Sequence, residues 1–296
     1  MVCPLRHRGS EAEGCLEVRY RTVTYEYIGA LAKNIRSIYK ENRIIINPSS
    51  SLEESLRAAE ILAKSWKNKN RTIMADHENF YKILGLSMIC LYLGEAIKWA
   101  QNKNGLKNKL IKLLHDTLDP SERKVSEARN FAFELYMASK FESKGINTFF
   151  LEPDIHFHLL SKEFVLACKH PVSLRNISKL IEKGRKQVVK TNFKGFIGLA
   201  IDQLAERPSG VLVRDKIDWL CYAECQFLRV KLRHENKIIR KLKESKVIGL
   251  IVSLNNPIIS IEDKQPILGQ QLWVWPISSP KSIDYKIARK LADVLN

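Results

Sequence analysis

The hydrophobic pattern of this 296-residue chain changes period at Gly145. Before it, apolar residues recur at helical spacing. After it, they alternate in twos or run continuously, as strands do. A chain that switches period part-way must combine helices with a sheet, and the helices then cover the sheet faces. Segments 22–40, 51–68, 76–101 and 104–118 carry the helical period, with breaks at NPSSS and NKNG. SSLEE at 50–54 suits a capped helix start. A further helix is expected over 122–144, with Asp119 as N-cap, Pro120 in its first position and Gly145 as its stop.

Beyond Gly145, INTFFLEPDIHFHLL and EFVLACKHP read as two strands joined by a short turn near Ser161 and Lys162. Residues 173–192 follow as a helix with Leu174, Ile177, Ile181, Gly184 and Val188 on its apolar face. Residues 195–202, 246–254 and 270–277 read as strands, and 213–244 and 282–295 as helices. The order from residue 125 is α-β-β-α-β-α-β-β-α. It implies an α/β (α+β) fold, a mixed sheet flanked by helices and preceded by a mainly helical N-terminal region. The expected division is 1–120 and 121–296.

Charge limits the function classes. Lys and Arg number 49 against 32 Asp and Glu, a net charge of +17. The basic residues recur on helices rather than in one tail, which points to a polyanionic partner, nucleic acid before a membrane surface. The longest apolar run, residues 83–93, is shorter than the ~18 residues of a membrane span. No apolar run opens the chain, so no secretory leader is expected. The six cysteines, Cys3, Cys15, Cys90, Cys168, Cys221 and Cys225, form no CxxC pair. A reduced, cytoplasmic protein without a structural metal cluster is expected.

Three polar residues sit where apolar ones belong. Glu134 shares a helix stripe with Phe131, Ala138 and Phe141, given about 100° per residue. Asp154, His156 and His158 alternate with Ile155, Phe157 and Leu159 along one strand, and Lys169 follows Val165 and Ala167 on one face of the next. Taken singly, each has an ordinary explanation: an edge glutamate reaching water, a solvated strand face, a lysine extended past the strand end. Taken in order, they run helix glutamate, Pro153-Asp154, hairpin, Ala167-Cys168-Lys169, basic helix.

That order resembles the PD-(D/E)xK nuclease superfamily, the restriction-endonuclease-like fold, over about residues 125–205. The likeness is nearest to branches with an early helix glutamate. It implies a metal-dependent DNA endonuclease that hydrolyses phosphodiester bonds with Mg²⁺ or Mn²⁺, in restriction or anti-phage defence. Carried over residue by residue, Asp154 matches the motif aspartate, Lys169 the motif lysine and Glu134 the helix glutamate. Glu134 and Asp154 then hold the metal. Gln187 is a looser match to a glutamine on the following helix. Lys179, Lys183, Arg185, Lys186 and Lys190 on that helix become candidate phosphate contacts.

The departure is Ala167, where the motif has Asp or Glu. Three readings stay open. Ala167 replaces a glutamate by design; the carboxylate comes from elsewhere, with Glu152 and Glu182 as candidates; or the domain binds nucleic acid, or scaffolds a defence complex, without cutting. A homodimer or a partner subunit is compatible with all three. His156 and His158 share a face but have no third ligand at matching spacing.

Overall fold

The computed structural model describes residues 19–68, 77–119, 121–204, 211–213, 216–259 and 266–295. Cys3, Cys15 and the N-terminal segment read for a leader lie outside them. Four helices precede Gly145's own helix: α1 (Tyr25–Glu41), α2 (Ser51–Lys67), α3 (His77–Ala100) and α4 (Leu106–Lys112). Local chemistry sets two of their starts. Thr24 caps α1 by accepting from the Tyr27 N–H, and Ser50 caps α2 by accepting from Glu53. The helix expected over 104–118 is cut to α4.

α5 (Glu127–Glu142) begins later than its sequence signals suggest. Its cap is Ser126, whose Oγ accepts from the Arg129 N–H at 3.2 Å and donates to the Thr117 carbonyl at 2.6 Å. Asp119 is spent on a turn instead, accepting from the Ser121 N–H at 2.7 Å, and Pro120 lies outside the described residues. The Arg129 guanidinium donates to the carbonyls of Asp119, Glu122 and Lys124, which fixes the loop in a non-helical path. The C-terminal stop is as expected. Gly145, at φ 75°, donates to Glu142 while Ile146 donates to Phe141, the paired bonds of a left-handed helix end.

The strands are β1 (Arg19–Thr22), β2 (Thr148–Phe149), β3 (Ile155–Leu159), β4 (Lys162–Lys169), β5 (Lys194–Ala200), β6 (Leu212–Val213), β7 (Val247–Ile259) and β8 (Pro266–Pro276). They form one mixed sheet in the order β1-β8-β7-β5-β4-β3-β2, with β6 beside β7. The β4–β5, β5–β7 and β6–β7 pairs are parallel and the rest antiparallel. The stretch read as one strand over INTFFLEPDIHFHLL is two, because the turn at 150–154 folds β3 back onto β2. Leu160 and Ser161 turn the β3–β4 hairpin, both at positive φ, so the bend falls one residue before the expected pair.

α6 (Ile177–Lys190) follows a short 3₁₀ turn at Leu174–Asn176, and α7 (Lys216–Leu242) and α8 (Ile283–Leu295) complete the chain. Ile177, Ile181, Gly184 and Val188 of α6 are buried as their spacing requires. Gly184 lets α6 approach β5 closely, since a Cβ there would stand 3.1 Å from Ile197.

Three apolar clusters hold these layers. One joins α1–α4 with Ala128, Ala132 and Leu135 of α5, and takes in Ile259 and Leu268 of the sheet. The second lies between one sheet face and helices α5 and α8; the third lies between the other face and helices α6 and α7. β1 pairs with β8, so the N-terminal helices and the sheet share both strand pairing and core across residue 120. Within α3, residues Asn79–Ala100 are long and apolar enough to cross a membrane, and 72% of the most apolar window is buried against the other helices.

Candidate functional site

The ends of β3 and β4 are tied together by a side chain. Ile155 pairs with Leu166, so Asp154 stands just outside the ladder, level with the last turns of β4. Its Oδ2 accepts from the Cys168 backbone N–H at 2.7 Å. Lys169 Nζ lies 3.5 Å from the same oxygen and donates to the Cys168 carbonyl at 2.6 Å. Glu134 reaches this spot from α5 and is 4% exposed. Its partner is Lys109 of α4, which also stands over the Phe131 ring, 5.0 Å from its centroid. The site thus holds two carboxylates, each with its own lysine.

The carboxylates perturb one another. Burial, and then the charge of Asp154, push Glu134 up to about 7 from 4.5, while Lys109 and Lys169 pull it down. Burial also raises Asp154 from its ordinary value, against Lys169 and the Cys168 N–H bond. Two acids in one dry place resist joint ionisation. The same burial, with both carboxylates, raises the Cys168 thiol well above its ordinary value, which leaves it a poor nucleophile.

These groups lie in a cleft of about 980 Å³ between α4, α5 and α6. Seven lysines and four carboxylates line it, an excess of positive charge suited to a polyanion. Lys179, Lys183, Lys186 and Lys190 do so from one face of α6, at steps of four, three and four. Lys109 and Lys112 do so from the opposite wall. Gln187 also faces the cleft, its side-chain oxygen buried and without a partner.

Several expected positions fall elsewhere. Ala167 is 0% exposed in the apolar layer with Val165, Ile181 and Ile197, one step inward from the open strand end, and is not part of the cleft lining. Arg185 turns aside from the cleft and binds Glu182 at 2.7 Å, which also occupies that carboxylate. Glu152 does line the rim. His156 sits between the Glu163 carboxylate and the Glu152 carbonyl, at 2.5 and 2.6 Å, while His158 is exposed against Phe149. Lys109, Lys112 and His170 were not singled out from sequence. Their helix and loop carry ordinary lysine and histidine spacing, and only packing of α4 on α5 turns the two lysines inward.

Among the described residues, no group of three or more His, Cys, Asp and Glu side chains is placed to hold a metal ion. Of the four carboxylates that line the cleft, Glu134 and Asp154 are the two that perturb one another, with Glu152 and Glu127 elsewhere on the lining. Mg²⁺ keeps most of its waters and needs only one or two carboxylates plus substrate oxygens. The pair fits such a water-rich site for Mg²⁺ or Mn²⁺. No family model, no curated protein and no solved structure matches this chain.

Proposed function

We propose that this protein is a divalent-metal-dependent nuclease that cuts DNA. The observation that carries the reading is the convergence of Asp154, Glu134 and Lys169 at the floor of a lysine-lined cleft. The element order α5-β2-β3-β4-α6-β5 supports it, since it repeats the α-β-β-β-α-β succession of the nuclease family the sequence resembles. A cation held by Glu134 and Asp154 would lower the pKa of a bound water and neutralise charge on the phosphoryl group. Lys169, fixed by the Cys168 carbonyl, stands ready to orient that water and to meet negative charge as it grows on phosphate oxygens. Gln187, with a free buried oxygen, accepts a hydrogen bond from water or from a sugar hydroxyl. The α6 lysines contact backbone phosphates, which sets register without reading sequence. The expected setting is the cytoplasm, in restriction or anti-phage defence.

A second reading has one observation in its favour. Ala167 leaves the site with two carboxylates, each already paired with a lysine, as suits binding without cutting. Nicking of supercoiled plasmid separates the two. Cleavage is expected with Mg²⁺ or Mn²⁺ and not with a chelator. Lys169→Ala should lower the rate by a factor of about 100 or more while leaving gel-shift affinity nearly intact. No cleavage of DNA across metals and DNA forms, with binding present, leaves the binding protein standing; RNA as a competing substrate decides the nucleic acid.

A further inference from the structure

The basic residues of α7 line no part of the cleft, yet they form a surface of their own. α7 covers the same sheet face as α6, with Val230, Ile238 and Leu242 in their shared apolar layer. At about 100° per residue the opposite face carries Arg229, Arg233, Lys237 and Arg240, all exposed. Glu235, the one carboxylate in the sequence between Arg229 and Arg240, falls on a different flank and sits 3.9 Å from Lys231. Among the described residues no ion pair holds any of the four. Four positive charges therefore stand open along about 16 Å of helix. Arg229, Arg233 and Lys237 are four residues apart, a spacing at which like charges repel. An ordinary solvated face mixes the two signs, as Glu182 and Arg185 do on α6.

This surface adjoins the cleft. Lys241 Nζ, on the flank of α7 next to Lys237, donates to the Ser178 carbonyl of α6 at 3.5 Å, and its charge acts on Glu182 one turn further on. Outward from Gln187 the order is the α6 lysines, the Glu182–Arg185 pair, Lys241 and then the α7 face. The carboxylate on that path, Glu182, is taken by Arg185. A polyanion fits such a path. A lipid surface fits it less well, because a helix lying on lipid buries its own apolar face there. The apolar face of α7 is spent on the sheet, which leaves Leu232 and Ile239 as its exposed large apolar side chains.

We propose that the outer face of α7 is a second nucleic-acid surface, on which Arg229, Arg233, Lys237 and Arg240 hold backbone phosphates of a duplex that runs on from the cleft. The surface rests on its own charges. Its continuity with the cleft rests on the nucleic-acid reading above, and not on that nucleic acid being cut.

The test follows anisotropy of an end-labelled duplex with the full chain across salt. The variant Arg229→Gln, Arg233→Gln, Lys237→Gln, Arg240→Gln keeps the side-chain stems and should reduce the slope of log affinity against log salt by about 3 to 4. Wild type then loses about 100-fold more affinity than the variant between about 50 and 200 mM salt. The variant Lys281→Gln, Lys286→Gln, Arg289→Gln, Lys290→Gln removes the same charge at α8, on the other sheet face, and should leave the slope nearly unchanged. If the first variant does not fold, Arg233→Gln, Lys237→Gln should give about half its effect. Equal losses at α7 and α8 would reduce the surface to net charge and overturn the proposal. An α7 variant that binds as wild type does, while loss of the α6 lysines weakens binding, overturns it and leaves the cleft reading standing. Weakening by the α7 variant with none from loss of the α6 lysines keeps the α7 surface and removes the cleft. No duplex binding by wild type overturns both. Flotation with phosphatidylserine vesicles tests the lipid: vesicle binding that needs the four residues, with the duplex slope unchanged, overturns the proposal in favour of a membrane surface.

Discussion

Replacing Glu134 by glutamine tests the electrostatics of the site without any substrate. The side chain keeps its shape and loses its titration. In the metal-free chain Glu134 is raised from 4.5 to about 7. A shift of that size corresponds to about 3 kcal/mol between the protonated and ionised forms. The sign follows from proton counting. Between 4.5 and 7 the folded state holds a proton that the unfolded state has released, so stability falls as pH rises. The contribution is fully present below pH 4.5 and is lost by the time pH passes 7. Glu53, Glu122 and Glu142 have lowered values and the opposite slope, but they are common to both proteins and cancel in the difference. Urea unfolding in a chelating buffer from pH 4.5 to 8 gives that difference directly. Wild type should lose about 3 kcal/mol relative to Glu134→Gln over the range. Parallel stability curves would mean that Glu134 titrates in the folded chain as it does in the unfolded one, and the account of the site would be wrong.

Two further outcomes bear on the cleft. Changing Lys179, Lys183, Lys186 and Lys190 together to alanine should weaken DNA binding and reduce the slope of log affinity against log salt by up to about 4, while Arg185→Ala leaves the slope unchanged; fluorescence anisotropy from low to high salt reads both. Ala167→Glu puts a carboxylate into the apolar layer under α6, and should lower stability by about 1–3 kcal/mol or more without raising plasmid nicking. A stable and more active variant would show that position 167 faces the cleft after all.

The three residues that define the site were legible because they break local pattern. Glu134 interrupts an apolar helix stripe, and Lys169 ends an apolar strand. Asp154 follows proline at a strand start. Gln187 and four of the five α6 basic positions fall on the cleft for the same reason, a helical face opposite Ile177, Ile181, Gly184 and Val188. Other features carried the wrong local signal. Asp119 and Pro120 look like a helix start, yet Ser126 caps α5 and Arg129 binds the intervening carbonyls. Asn255, Asn256 and Pro257 look like a strand end, yet β7 runs through them in unbroken register with β8.

Sequence periodicity by itself determined the switch from helices to a mixed sheet, the two-sided burial of that sheet and the order of its polar interruptions. These follow from which face of each element is apolar, a property of neighbouring residues along the chain. Only the tertiary structure decided that Lys109, 25 residues before Glu134 and on a separate helix, pairs with that carboxylate. It also decided that Ala167 lies under α6 while Asp154 and Lys169 meet at the open strand ends. Those facts depend on how separate elements dock, which buried area and packing fix at long range and which no local pattern encodes.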